Sequence, residues 1–328
     1  MSADRYQLIR KLGDGNFTEG VHLARHLDTG RDVAVKLLKV DAGSTRDTLL
    51  EEAKRMAALP RHDHVVQVHD AGDWETEYVY IASEVCLGGS LEDVASEELD
   101  PATACKYVSD SCRGLSFMHD RGMLHLDLRP ANVLLDDGSP RITDFGLSRW
   151  TGDSSIPDVY TAHAAPELWA SNEGSAASDQ YAMAMTLAHL LTAGSICDLV
   201  PDDLVSACAT GKWPALDLLG DNVPPKLRKA IATATKARPD ERFADVEQFK
   251  RAVDNATPAV SFRRDDQVTM TSTDGKWSII WSMKRTEHSI DVRKNGRRDR
   301  SKCLSGATEA EAVKHRRKLI AKFASGEY

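Results

Sequence analysis

The chain has 328 residues, 41% of them hydrophobic and 28% charged, with a formal net charge of −8. That length and balance suit a soluble pair of domains and exclude a disordered or collagen-like chain. Six cysteines without a Cys-x-x-Cys spacing argue against a disulfide framework and against a structural zinc site, and point to a reducing cytosol.

No leader is visible, because residues 1–5 run straight into a strand-like segment. Residues 33–38 (Val33-Ala34-Val35-Lys36-Leu37-Leu38) form a dense apolar run with a single lysine, Lys36, inside it, and predict a strand. Residues 47–59 carry Leu49, Ala53, Met56 and Leu59 at helical spacing, and 78–85 read as another strand that Gly88 and Gly89 break. Beyond that point helices are expected at 101–120, 176–193, 202–210, 224–235 and 243–254. The apolar run 181–200 contains His189 and Asp198 and predicts a buried central helix rather than a membrane span.

After a linker at 255–260 the period shortens to two: Trp277, Ile279, Trp281 and Met283 alternate with Ser278 and Ser282. Lys294-Asn295-Gly296-Arg297 predicts a tight hairpin, and Thr308 with Glu311 a capping box. The following helix is expected to turn Ala312, Leu319 and Phe323 inward and Lys314, Arg317 and Lys318 outward. The tail thus reads as three or four antiparallel strands plus one helix. It holds 16 basic and 9 acidic residues from 257 to 328, a charge of +7 against −15 for the rest. An acidic body with a basic tail suggests two domains with different partners.

Three strings carry the chemistry. His125-Leu126-Asp127-Leu128-Arg129-Pro130-Ala131-Asn132 is followed by Asp144-Phe145-Gly146 and by Ala165-Pro166-Glu167. In that order they supply a carboxylate to orient a hydroxyl, then an amide and a second carboxylate to hold a divalent cation on phosphates. With Leu12-Gly13-Asp14-Gly15-Asn16-Phe17 and Ala34-x-Lys36 ahead of them, the chain resembles the protein kinase family, serine/threonine type, in the style of its bacterial members, over residues 5–254. The resemblance implies a β-rich N-lobe (1–85) and an α-rich C-lobe (90–254) with a cleft between them; with the small α+β module read from the tail's own pattern (261–328), the whole chain is expected to be α+β.

The resemblance also implies the residue roles. Gly13 and Gly15 would bring backbone close to ATP phosphates. Lys36 would grip the α/β phosphates with Glu52 as its counter-charge, Glu51 being the alternative. Glu84 and Cys86 would offer backbone groups to the adenine edge, Val21, Ala34 and Leu134 would sandwich the ring, and Ser83 would be a small gatekeeper. Asp127 would be the catalytic base, and Arg129 would replace the usual lysine near the γ-phosphate. Asn132 and Asp144 would be the Mg2+ ligands. Asp179 would brace the catalytic loop and Arg242 would pair with Glu167.

The pattern is broken at Thr18, where a third glycine is usual, and at Leu126, where regulated members have an arginine that meets a phosphorylated segment. Phosphorylation of Thr151, Ser154, Ser155 or Thr161 is therefore not expected to be the main switch. The expected activity is ATP- and Mg2+-dependent transfer to serine or threonine of a protein, in the cytoplasm and away from membranes. The rival is a nucleotide-binding pseudokinase scaffold acting through its tail. The tail itself would take nucleic acid, using Arg293, Lys294, Arg297, Arg298, Arg300 and Lys302 with stacking by Trp277 and Trp281. Otherwise it would dock on an acidic protein, its own kinase domain included. The shared strand face of the two tryptophans favours a place in the core.

Overall fold

The computed structural model describes residues 5–13, 18–40, 46–75, 77–95, 99–145, 148–150, 161–170, 173–266 and 268–328. They fall into two compact units. The first comprises 1–88 with 135–143, and the second 89–134 with 144–328.

The first unit is built on a five-stranded antiparallel sheet. Its spatial order is Tyr6–Gly13, Thr18–His26, Asp32–Lys39, Tyr78–Ser83, Val68–Asp73. The two-residue period of the Asp32–Lys39 strand explains its placement. Val33, Val35 and Leu37 are buried and pack with Tyr6, Ala24, Tyr80 and Ala82, while Ala34 and Lys36 take the opposite face. Helix Arg46–Ala57 lays buried Ala53 and Met56 inward against the Val68–Asp73 strand. The segment 135–143 is tied in by the Val66 N–H donating to the Ile142 carbonyl and the Ile142 N–H to the His64 carbonyl, both at 2.9 Å.

On the edge strand Val68–Asp73, Asp70 gathers three donors. Tyr80 and Tyr6 hydroxyls donate to its Oδ2 at 2.9 and 3.3 Å, and Arg5 Nη1 does so at 3.1 Å. Burial first, and then the adjacent carboxylate, pushes the Tyr6 phenol up to about 12 and raises Tyr80 further still.

The second unit is helical around Pro101–His119 and Ala176–Leu190. Asp100 caps the first, accepting from the Ala102 and Thr103 N–H groups at 3.0 and 3.2 Å, and Pro101 sits where its missing N–H costs nothing. The run 181–188 is buried at every position. Among the described residues no helix is long and apolar enough to cross a membrane. Helices Leu204–Ala209, Pro225–Ala234 and Val246–Ala256 follow, within two or three residues of the expected bounds, and the shorter helices Leu91–Val94 and Pro166–Ala170 lie in the same unit.

The tail differs from expectation in strand number. Six strands form one antiparallel sheet, in the order Phe262–Arg264, Thr269–Ser272, Trp277–Lys284, Glu287–Lys294, Arg297–Arg298, with Leu304–Ala307 also pairing with Glu287–Lys294. Several of these strands have four residues or fewer, too short to show a period in sequence. The Asn295-Gly296 turn has positive φ at both residues (50° and 77°), as a two-residue hairpin needs. The Thr308–Glu311 capping box forms as expected, opening helix Glu309–Ala324. Trp277 is buried against Phe323, whereas Met283, expected inward, is 66% exposed near the strand end.

This module belongs to the same compact unit as the helices before it, and named contacts hold it there. Ser261 Oγ accepts from the Ala102 N–H (3.1 Å), and Asn222 Nδ2 donates to the Phe262 carbonyl (3.3 Å). Asp221 Oδ2 accepts from Arg316 Nε (3.1 Å) and Nη2 (2.5 Å), and its Oδ1 accepts from Arg317 Nε (2.7 Å). Ala259, inside the expected linker, donates its N–H to the Ala324 carbonyl (3.0 Å).

Candidate functional site

The second unit carries the acid–amide–acid set. Asp179, fully buried near the start of helix Ala176–Leu190, sends Oδ2 to the His125 N–H (2.8 Å) and to His119 Nε2 (2.8 Å), and Oδ1 to the Leu126 N–H (2.7 Å). Burial alone would raise its pKa, but these hydrogen bonds and the neighbouring histidines outweigh that and hold it below the usual range. Asp179 therefore stays ionised and braces the catalytic loop as expected. Leu126, buried, has φ +67°, a strained value for a leucine that the accepted N–H helps hold.

The braced loop fixes Asp127. Asn132 Nδ2 donates to the Asp127 carbonyl (2.7 Å) and to its Oδ2 (2.9 Å), and the Asp127 N–H meets His125 Nδ1 (3.2 Å). Because the Asn132 nitrogen is engaged, its amide oxygen is the atom suited to a cation. Burial raises the Asp127 pKa; His125, Arg129 and Asn132 oppose it, while Asp144 adds to it. A carboxyl made more basic in this way is better matched to accepting a hydroxyl proton. Asp144 has φ +59°, and the following Phe145 lies with its ring 5.8 Å from that of His125. Arg129 precedes the short turn Pro130–Asn132. Leu134 is half-buried on strand Val133–Asp136.

Glu167 and Arg242, 75 residues apart, pair in two parallel bonds of 2.7 Å each, with Ser178 Oγ donating to Glu167 Oε1 at 2.8 Å. Arg242 is fully buried and also donates to the carbonyls of Lys236, Ala177 and Ala237. Such a fork is the geometry in which a buried pair is held firmly.

The first unit carries the remaining candidates. Directly paired residues on antiparallel strands share a face. Val21 pairs with Lys36, and Ala34 with both Leu23 and Ser83, so Val21, Ala34, Lys36 and Ser83 share the face opposite the core. The Glu84 N–H donates to the Gln67 carbonyl (2.9 Å), which leaves its carbonyl as the group suited to an adenine edge. The Glu84 side chain is taken by Arg61 (2.9 Å) and Arg141 (3.0 Å). Burial pushes the half-buried Cys86 thiol up to about 11. Gly13 ends the first strand. Gly15 and Gly146 lie outside the described residues, as do Thr151, Ser154 and Ser155. So does the side chain of Glu52, whose backbone is in helix Arg46–Ala57.

The Asp70 clamp and the Asp221–arginine pairing were not foreseen from sequence. Asp70 sits in His69-Asp70-Ala71-Gly72 and Asp221 in Gly220-Asp221-Asn222, strings that read as turns.

A family description for the protein kinase domain matches residues 6–242. The chain belongs to the protein kinase family. Among curated relatives, serine/threonine-protein kinase PknB of Mycobacterium tuberculosis is 35% identical over 206 residues, which cover 58% of this chain and 33% of PknB. PknB of Mycobacterium leprae is 34% identical over 205 residues, again 58% of this chain and 33% of the relative. Serine/threonine-protein kinase PknF of Mycobacterium tuberculosis is 31% identical over 269 residues, 76% of this chain and 55% of PknF. The chain thus spans about a third to a half of the length of these relatives.

Proposed function

We propose that the protein is an active serine/threonine protein kinase that transfers the ATP γ-phosphate to a protein hydroxyl. The observation that carries this reading is the Asn132 amide donating to the Asp127 backbone carbonyl and to one of its carboxylate oxygens, on a loop braced by Asp179. It orients the Asp127 carboxylate and presents the Asn132 oxygen, an arrangement that a pure scaffold does not need.

In this reading Asp127 receives and orients the substrate hydroxyl proton. Arg129 supplies positive charge for the phosphate, and Lys36 holds the nucleotide with Glu52 as counter-charge. Gly13 and Gly15 line the phosphates, the Glu84 carbonyl and Cys86 N–H bind the adenine edge, and Val21, Ala34 and Leu134 flank the ring. The donor set fits a hard divalent cation, since the Asn132 amide and the Asp144 carboxylate supply oxygen. These two residues would hold Mg2+, which neutralises phosphate charge when bound. The C-terminal module is proposed to dock acidic protein surfaces through the basic Glu287–Lys294/Arg297–Arg298 hairpin, while its helix stays on Asp221. Binding insensitive to salt would remove that electrostatic role.

The test is incubation of the purified protein with Mg-ATP beside Asp127→Asn, with new phosphosites mapped by mass spectrometry. Phosphoserine or phosphothreonine in wild type alone is expected. ATP binding without phosphate on itself or on a generic acceptor would replace this reading with the scaffold.

A further inference from the structure

We propose that His163, His189 and Cys197 form a binding site for a borderline-soft divalent cation of the zinc type, separate from the Mg2+ site. Their ligand atoms all lie within 4.8 Å of one another. Cys197 Sγ is 3.5 Å from His189 Nδ1 and 3.8 Å from His163 Nε2. A tetrahedral ion with Zn–S of about 2.3 Å and Zn–N of about 2.0 Å requires sulfur-to-nitrogen separations of about 3.6 Å. Both sulfur-to-nitrogen edges therefore stand close to those of a coordination triangle, and the two ring nitrogens, within 4.8 Å of each other, would draw closer on binding. Two imidazoles and a thiolate select zinc-like metals over magnesium or calcium, which prefer oxygen.

The backbone pre-forms this arrangement. His189 lies in the last turn of helix Ala176–Leu190, and the chain turns back at once: the Gly194 N–H donates to the His189 carbonyl (3.1 Å) and the Cys197 N–H to the Gly194 carbonyl (2.8 Å). Gly194 has φ +79°, and a Cβ there would come within 3.3 Å of His189 Nε2. The turn thus requires a residue without a side chain to bring Cys197 beside the histidine. Fully buried Ile196 anchors the same loop. His163 arrives from another element, two residues before Ala165-Pro166, and its ring stacks on that of His189 at 5.4 Å.

His189 and Cys197 are half-buried, which leaves a way in and a fourth position for water or a further ligand. Glu92 and Asp198 act on His189 with charge opposite to the ion's, and Arg129 acts on both histidines with the same charge. Binding converts the Cys197 thiol to a thiolate that bonds the metal and releases its proton to solvent. The ion would tie the segment ahead of Pro166 to the end of the central helix, close to the catalytic-loop Arg129.

The full chain, stripped with chelator, would be titrated with Co2+ and then with Zn2+ in competition with a chromophoric chelator. Wild type and Asp144→Asn are expected to bind one ion per chain with a thiolate-to-cobalt charge-transfer band, so the band does not come from the Mg2+ ligands. Cys197→Ala loses the band, and both it and His189→Gln weaken Zn2+ binding by on the order of 100-fold or more. Circular dichroism identifies a variant that has failed to fold, in which case the other variant decides. Absence of the band in wild type, or unchanged affinity in a folded variant, would overturn the site and leave a hydrogen-bonded polar cluster.

Discussion

Asp221→Asn is the most direct probe of how the C-terminal module is attached. The substitution keeps shape and one acceptor oxygen but removes the charge that meets Arg316 and Arg317. The Asp221 and Arg316 side chains are 9% and 11% exposed, so the bonds between them carry nearly the full weight of hydrogen bonds to a charged group, roughly 1.5–3 kcal/mol. Arg317 is 57% exposed, and solvent screening reduces its share to about 0.5 kcal/mol. With partial retention by the asparagine oxygen, the expected loss is about 2 kcal/mol, or roughly 4–8 °C in Tm. Urea unfolding followed by tryptophan fluorescence is a suitable assay, because Arg316 lies 4.3 Å over the Trp281 ring and Trp277 is in the module core.

The pH dependence of this contact has a definite sign. Burial would raise the Asp221 pKa, but hydrogen bonds from Arg316 and Arg317 outweigh it and lower it below the usual value. A carboxylate whose folded pKa is depressed contributes stability above its unfolded pKa, about 3.9, and loses it as pH falls through the folded value. Wild type and Asp221→Asn should therefore differ at pH 7 and converge in strong acid. A difference below about 0.5 kcal/mol at pH 7, or an equal loss from Lys318→Gln on the exposed face of the same helix, would refute the reasoning.

Ser83→Phe places an aromatic ring on the sheet face shared with Ala34 and Lys36, and should abolish inhibition by bulky ATP-competitive ligands that wild type accepts; equal inhibition of both would sink this expectation. Because burial raises the Asp127 pKa, the acid limb of kcat/KM should lie above the ordinary aspartate value of about 3.9, and Arg129→Gln should move it higher by removing a lowering charge. A limb that moves down would contradict that assignment. A carboxyl whose folded pKa is raised favours the fold below its unfolded pKa and loses that contribution as pH rises through the folded value, so Asp127→Asn should not lower Tm at neutral pH. Tyr80→Phe removes one bond to Asp70 while Tyr6 and Arg5 remain, and should cost about 1 kcal/mol in urea unfolding.

The features legible in sequence are those whose partners are close in the chain or stand in an ordered motif. The dense apolar run around Lys36 formed a strand, and the Asn295-Gly296 turn and the Thr308–Glu311 box formed where their local chemistry required. Asp179 and Arg242 were readable only through the family pattern, since the groups they bind lie 54 and 75 residues away. What escaped is what depends on distant pairing alone. Asp70 meets Tyr6 across 64 residues, and Asp221 meets Arg316 across 95. The clustering of His163, His189 and Cys197 escaped for the same reason, since a cysteine-spacing rule looks for neighbouring residues and His163 and Cys197 are 34 residues apart. The three or four strands expected of the tail became six because two- and three-residue strands have no period to detect.

Helix Pro101–His119 begins on a donor shared between Asp100 and Ser261, the second from the far end of the chain. The match to the kinase family stops at residue 242, yet a hydroxyl nineteen residues later helps finish that helix. Portability is thereby limited. A fragment ending at 256 would carry every catalytic motif, but it would lose the Ser261 hydroxyl, uncover Asn222 and leave Asp221 without its arginines. Low activity in such a fragment would report damaged architecture rather than a missing regulator, and transplanting the tail onto another kinase would require an acidic socket like Asp221 to receive it.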